Sequence, residues 1–83
     1  MSAHEKYVQA FRTTMGIDEK GKLETLKYQD VEAWDSVGHM ELVSELEDAF
    51  DIEMETDDII DFNSFEKGIE ILNEKYDVGI EKE

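Results

Sequence analysis

Hydrophobic residues recur along most of the chain at the spacing of one helix face, and no stretch alternates long enough to predict a strand. The first such stripe ends at Gly16, a residue type that favours the left-handed conformation of helix C-caps. Its members are Tyr7, Val8, Phe11 and Met15. The pattern predicts a first helix over about residues 2–15.

A second apolar stripe follows Asp35 and Ser36, two residue types that are favoured at helix N-caps. It predicts a helix over about residues 36–50 that begins at Asp35 or Ser36. Its members are Val37, Met40, Leu42, Val43, Leu46, Ala49 and Phe50.

Two further helices are predicted in the last third of the chain. Hydroxyl and carboxylate residues open a short third helix over about residues 56–61. Asn63, with Glu66 three residues later, is similar to a capping box and predicts a fourth helix over about residues 64–77. That helix would carry on one face Phe65, Ile69, Leu72 and Tyr76.

Residues 16–35 lose the helical periodicity and predict a long loop, within which a short helical turn near residues 29–33 is compatible with the sequence. Apolar residues recur through the loop and predict that it packs against the helices. They are Ile17, Leu23, Leu26, Tyr28, Val31 and Trp34. We therefore predict one all-α domain over residues 1–83, a small four-helix bundle with a short third helix and a long loop between helices 1 and 2. Its largely buried residues should include Phe11, Met15, Leu42, Leu46, Phe50, Ile69 and Leu72.

The charge balance is strongly acidic, with 23 acidic against 8 basic residues and a formal net charge of -15. Such a field disfavours nucleic acid and anionic membranes and favours proteins with basic patches. An acidic surface also keeps small proteins soluble, so composition alone leaves both interpretations open. The chain has no cysteine, no apolar run of membrane-spanning length and no basic-then-apolar N-terminal stretch. We expect a cytoplasmic monomer without membrane insertion.

The pair Asp35-Ser36 is the best candidate for chemistry. A helix N-terminus offers unpaired amide groups and a positive dipole end, which favour a phosphate attached there. Serine is also a common helix cap, so the pair taken alone indicates an ordinary cap more often than a reactive group.

The surroundings of this pair resemble the acyl carrier protein family. The similarity runs through the segment Trp34-Asp35-Ser36-Val37-Gly38-His39-Met40-Glu41-Leu42-Val43, then Leu46-Glu47 and Phe50, and continues through Ile52 and Met54. In that family an Asp-Ser-Leu motif begins the second helix, and its serine carries phosphopantetheine. The length, acidity and helix order of the chain agree with the resemblance.

The resemblance implies that Ser36 holds the arm as a phosphodiester, supplied from coenzyme A by a phosphopantetheinyl transferase. Asp35 would match the acidic neighbour that supports this enzyme and its magnesium ion, with a role as a second cap ligand as the alternative. The implied partner contacts are Val37, Met40, Glu41, Glu47 and Asp48, although the acids among them also suit a solvated face. The implied function is a non-catalytic carrier of an acyl or aminoacyl thioester. Its partners would be the transferase and acyl-transferring or acyl-activating enzymes with basic patches.

Several positions depart from the pattern that is frequent in the family. Val37 stands where leucine is frequent, Gly38 and His39 where acidic or hydroxyl residues are frequent, and Ala33-Trp34 where a Gly-small pair is frequent. Because these positions lie where partner enzymes would bind, they favour a specialised carrier over a housekeeping fatty-acid carrier. We expect Gly38 to be tolerated at a fraying helix end and His39 to be a surface or partner-contact residue.

A catalytic-triad interpretation of Asp35, Ser36 and His39 is disfavoured. Acyl-transfer catalysis needs an oxyanion hole and an enclosed pocket, which a small helical bundle can hardly supply at a surface helix start. We therefore expect no enzymatic activity.

The acids near Asp57, Asp58 and Asp61 lack the ligand spacing and the central glycine of a calcium loop, so no dedicated metal site is expected. The alternative function from another class is an acidic helical protein–protein interaction module without a prosthetic group. It explains the charge and the bundle equally well, but not the carrier-like spacing from Asp35 to Phe50.

Overall fold

The structure, a computed structural model, describes residues 2–16 and 23–81. Within these residues lie four helices: α1 (Ala3–Met15), α2 (Ser36–Phe50), α3 (Thr56–Asp61) and α4 (Phe65–Lys75). They confirm the predicted all-α bundle with a short third helix and a long connection between the first two. Each observed end lies within two residues of the predicted one. Residues 17–22, including Ile17 of the predicted loop, lie outside the described residues.

Helix α1 is closed at both ends by local groups. The Ser2 hydroxyl accepts a hydrogen bond from the Glu5 amide at 3.1 Å. At the other end Gly16 adopts φ 68°, and its amide donates to the Arg12 carbonyl. The left-handed cap predicted at Gly16 is confirmed.

The core is built on aromatic rings from α1, the long connection and the start of α4. Phe11 lies 5.3 Å from the ring of Trp34 and 5.0 Å from that of Phe65, both edge to face. Helix α2 packs against α1 and contributes Leu42 and Leu46, both fully buried. The predicted core residues are buried with one exception: those confirmed are Phe11, Met15, Leu42, Leu46, Ile69 and Leu72.

Phe50 is the exception, because it is only partly buried at the last position of α2. The next residue, Asp51, adopts a left-handed φ of 53° and ends the helix. A helix end leaves one side of its last turn without packing neighbours, so Phe50 lies at the rim of the core.

The described part of the long connection is packed against the start of α4, as predicted. The Tyr28 amide donates to the Asn63 carbonyl at 2.8 Å, and the Phe65 amide donates to the Leu26 carbonyl at 2.9 Å. These two bonds form an isolated antiparallel bridge between Lys27 and Ser64. The connection is therefore a structural element that holds one helix start in place.

The helical turn considered near residues 29–33 does not form. Gln29 lies at φ 70°, outside the helical region, and its amide donates to the Trp34 carbonyl at 3.0 Å. The segment instead makes successive turns that bring the Trp34 side chain, with no exposed surface, into the core.

Helix α4 ends at Lys75, earlier than the predicted residue 77, because Asp77 adopts a left-handed φ of 53°. The following chain returns along the helix. Asn73 acts like a strand partner for Ile80: its carboxamide oxygen accepts from the Ile80 amide at 2.6 Å, and its nitrogen donates to the Ile80 carbonyl at 2.9 Å. Ile80 is thereby buried in the core.

Among residues 2–16 and 23–81, no helix combines the length and the apolar character that crossing a bilayer requires.

Candidate functional site

Asp35, and not Ser36, caps helix α2. Its backbone is extended, at φ -100° and ψ -168°, and its Oδ1 accepts from the Gly38 amide at 2.8 Å. Its carbonyl accepts from the His39 amide at 2.8 Å, which is the first bond of the helix. Of the two starting residues that the sequence left open, Asp35 is the cap, and Ser36 is the first residue inside the helix.

Because Asp35 is the cap, the Ser36 side chain does not cap the helix. The residue is exposed, and within the described chain no hydrogen bond involves its hydroxyl. An exposed primary hydroxyl at a helix start combines access from solvent with the positive end of the helix dipole.

Gly38 makes this arrangement sterically possible. The residue is buried, and a Cβ built on it would overlap the carbonyl oxygen of Ala33 and lie 2.9 Å from the carbonyl carbon. The expectation that glycine is merely tolerated here is wrong. The preceding loop crosses so close beneath the first turn of α2 that only a residue without a side chain fits.

His39 is a partly buried residue whose two ring nitrogens both take part in hydrogen bonds, a structural role that the expectation of a surface histidine did not include. The Trp34 indole Nε1 donates to its Nδ1 at 2.9 Å, so Nδ1 carries no proton. The proton of the neutral ring is then on Nε2, which donates to the Ile59 carbonyl at 2.8 Å. Ile59 lies in the last turn of α3, where carbonyls lack a partner within the helix. His39 thus joins the long connection, α2 and α3 through one side chain.

Aromatic rings surround the His39 imidazole. Its ring lies 5.5 Å from Tyr28, 5.8 Å from Phe62 and 6.2 Å from Trp34, the last in a stacked arrangement. Two hydrogen bonds of this kind contribute about 1 to 3 kcal/mol together, and aromatic pairs add about 0.5 to 1.5 kcal/mol each.

The positions that depart from the carrier-family pattern therefore support one another inside the molecule. Trp34 and Gly38 are buried, and His39 is partly buried. The expectation that these positions lie on the partner surface is wrong for Trp34 and Gly38, which are buried. His39 is partly buried and lines the cleft between α2 and α3, so its expected contact with partners stays a prediction.

Exposed apolar side chains do lie beside Ser36. Val37 is 66% exposed and Met40 is 52% exposed, on the face predicted to contact partners. Ile60 of α3 is 71% exposed and was not predicted. No local signal separated Ile60 from Ile59, since adjacent apolar pairs such as Leu42 and Val43 are both buried in this fold.

Two clefts open on either side of Ser36. One, of about 560 Å³, lies between α1 and α2 and includes Thr13, Val37, Met40 and Glu45 in its walls. The other, of about 350 Å³, lies between α2 and α3 and includes His39, Met40, Ile60 and Phe62. Ser36 lines both, so a group attached to it has apolar surface within immediate reach on two sides.

The three acidic residues of α2 that the resemblance implied as partner contacts differ in their surroundings. Glu41 and Asp48 are exposed. Glu47 is partly buried, and its Oε2 accepts from the Met54 amide at 2.9 Å. Glu47 therefore stabilises the turn that follows α2, a role that the sequence did not indicate.

Asp58 is a buried structural carboxylate and not part of a cation cluster. Its Oδ1 accepts from Lys75 Nζ and its Oδ2 from the Tyr76 hydroxyl, each at 2.6 Å. The hydrogen bonds from Lys75 and then Tyr76 lower the pKa of the Asp58 carboxyl below its usual value. Across the described ranges, no group of three or more metal-ligating side chains is gathered at one place.

Comparisons of this chain with models of protein families, with curated proteins and with solved structures give no match.

Proposed function

We propose that this chain carries an acyl or aminoacyl group as a thioester on a phosphopantetheine arm attached to Ser36, and that it presents this group to partner enzymes. The observation that carries the proposal is that Ser36 is exposed at the first residue of α2 and that its hydroxyl makes no hydrogen bond to the residues the structure describes, while Asp35 serves as the cap. A serine that capped the helix would have its oxygen occupied by a backbone amide.

The surroundings of Ser36 fit a phosphodiester. The first-turn amides and the dipole of a 15-residue helix favour an anionic group at that end. Ser36 is exposed to solvent, and the clefts on both sides leave room for an extended arm. The arm would supply the thiol that forms the thioester, whereas the chain supplies position and partner contacts.

Asp35 has two compatible roles in this proposal. Its Oδ1 is committed to the Gly38 amide, which fixes the backbone on which Ser36 sits. Its carboxylate also lies next in sequence to the hydroxyl that is modified, where it can help hold the magnesium ion that the transferase brings with coenzyme A.

The partner surface that we propose centres on Val37 and Met40, with the exposed acids Glu41 and Asp48 further along α2. An apolar centre with a charged rim is the usual composition of a protein–protein interface. The net charge of -15 favours partners with basic patches and speeds their association.

The test is treatment of the wild-type protein with a broad-range phosphopantetheinyl transferase and coenzyme A, followed by intact-mass measurement. We expect a single added arm on the wild type and none on Ser36→Ala. Ser44→Ala is the matched control, since Ser44 is an exposed serine of the same helix and should load normally.

Equal modification of the wild type and Ser36→Ala would contradict the assignment of Ser36. If neither protein is modified while a known carrier is, the acidic interaction module without a prosthetic group becomes the better account, since it uses the same exposed Val37 and Met40.

A further inference from the structure

We propose that His39 closes the space between α2 and α3 to the carried group, so that the cargo stays at the protein surface and belongs to the class of short or polar acyl groups. This inference rests on the proposed function and names the substrate class of the same site.

The cleft between α2 and α3 is the opening that an apolar cargo on Ser36 would meet first on that side. Ser36 and Met40 of α2 and Ile60 of α3 line it, and the side chains of Met40 and Ile60 are exposed. An apolar chain long enough to leave water would gain by passing inward from here toward the buried rings of Trp34 and Phe62.

His39 stands in that path. Its Nε2 donates to the carbonyl of Ile59 on α3, and its Nδ1 accepts from the Trp34 indole. A chain entering between the helices would displace the imidazole and leave an indole N–H and a carbonyl unpaired in apolar surroundings. A chain that enters would therefore break these two hydrogen bonds before its own apolar surface is buried.

Helix α3 is also held from its other side, so it cannot simply swing outward. Asp58, the neighbour of Ile59, is bound to Lys75 and to Tyr76 at the end of α4. The short helix is tethered to α2 through Ile59 and to α4 through Asp58. Widening the cleft would require one of these attachments to break.

The experiment compares two cargoes on the same protein. The wild type is loaded by the transferase with acetyl-coenzyme A or with decanoyl-coenzyme A, and each product is verified by intact mass. Amide and methyl NMR spectra and thermal unfolding are then recorded. We expect the Leu42 and Leu46 methyl resonances and the midpoint of unfolding to be the same for both cargoes, with differences confined to the surroundings of Met40 and Ile60.

His39→Ala, loaded in the same way, should behave differently, with decanoyl shifting the core methyl resonances and raising the unfolding midpoint relative to acetyl. If His39→Ala does not fold, the wild-type comparison decides alone. Core resonances or a midpoint that change with cargo length in the loaded wild type would overturn this inference while leaving the proposed function intact. A wild type that never loads is recognised by mass, and it overturns both.

Discussion

The starts of α2 and α4 use almost the same pair of residues, Asp35-Ser36 and Asn63-Ser64, with opposite results for the serine. In α2 the aspartate is the cap, accepting from the Gly38 amide at 2.8 Å, and Ser36 is exposed, without a hydrogen bond from its hydroxyl to any described residue. In α4 the serine itself is the cap. Its hydroxyl accepts from the Lys67 amide at 3.0 Å, and the residue is partly buried.

A shift of one residue in the cap position therefore separates a structural serine from an available one. The capping-box start predicted from Asn63 and Glu66 is wrong, because the Asn63 carbonyl pairs with the Tyr28 amide and keeps the chain extended through Ser64. In α2 the Ala33 carbonyl lies so close to Gly38 that the position has no room for a Cβ. In both cases the long connection contacts the first turn of the helix or the residue before its cap.

The start of α3 shows a third solution, because its cap residue Glu55 makes no capping bond with its own side chain. The Glu55 amide donates to the Tyr76 hydroxyl at 2.8 Å, and that hydroxyl donates to Asp58 in the same first turn. In a capping box the side chain at the third helical position would bond the cap amide directly. Here the Tyr76 hydroxyl lies between the Glu55 amide and the Asp58 carboxylate and bonds both. The Asp58 carboxylate, like the Ser64 hydroxyl, is therefore occupied by hydrogen bonds within the fold.

The largest expected effect separates the two serines by loading and by stability. Ser36→Ala should abolish transferase modification and change the free energy of unfolding by less than about 0.5 kcal/mol, since no cap is lost. Ser64→Ala should load normally and lose about 1 kcal/mol. Intact mass measures the first property and urea denaturation the second. A loss of stability in Ser36→Ala as large as that in Ser64→Ala would contradict the assignment of the caps.

The next effect concerns the third residue after each cap, which is Gly38 in α2 and Lys67 in α4. Helix propensity favours alanine over glycine by about 1 kcal/mol. We nevertheless expect Gly38→Ala to destabilise the protein by about 2 to 3 kcal/mol, because the new Cβ overlaps the Ala33 carbonyl oxygen. Lys67→Ala, at the equivalent exposed position, should change stability by less than about 0.5 kcal/mol. Urea unfolding of both variants tests this, and a Gly38→Ala protein as stable as the wild type would disprove the steric role.

The starts of α2 and α4 also show which features of the fold could be predicted from the sequence. Hydrophobic periodicity predicted the helices because it depends on neighbours within one or two turns. It placed Val37 and Met40 in the apolar stripe of the second helix, and only the family resemblance implied that they contact partners. The roles of Gly38 and His39 depend on Ala33, Trp34 and Ile59, whose positions follow only from the folded path of the chain.

The acidic residues that accept hydrogen bonds were also not predictable, because their partners are distant in the sequence. Asp58 and Glu47 are two of 23 acids, and nothing local separates them from the solvated ones. Asp58 finds partners 17 and 18 residues away, and Glu47 finds one 7 residues away. The composition gives the number of carboxylates but does not show which of them accept hydrogen bonds in the folded chain.

A smaller effect is expected from the buried carboxylate of α3. Asp58→Asn should lower the free energy of unfolding at pH 7 by about 1 to 2 kcal/mol, a modest amount because Lys75 is 54% exposed and screened by solvent. Since the folded-state pKa of Asp58 is lowered, its contribution is complete above the ordinary pKa of about 3.9 and is lost as the pH falls below it. The stability gap between wild type and variant should be constant from pH 7 to about 5 and should narrow below about 4. A gap that persisted at low pH would contradict the role of the ionised carboxylate.

The smallest effect tests the acids along α2, where Glu41 and Asp48 are exposed and Glu47 is bonded to the Met54 amide. Each change to lysine moves the net charge from -15 to -13, since one negative charge is lost and one positive charge is added. Glu41→Lys and Asp48→Lys should slow loading a few-fold at low salt, with the difference shrinking as salt rises, because rim charges act through the association rate. Their stability should stay equal to that of the wild type or rise slightly as self-repulsion falls. Glu47→Lys has the same charge change but also loses the bond to Met54, so it should be less stable than the other two by about 1 kcal/mol. Loading rates at two salt concentrations and urea unfolding of the three variants separate these contributions. If Glu41→Lys and Asp48→Lys loaded at the wild-type rate at low salt, the acidic face of α2 would be a solvated surface without a part in recognition.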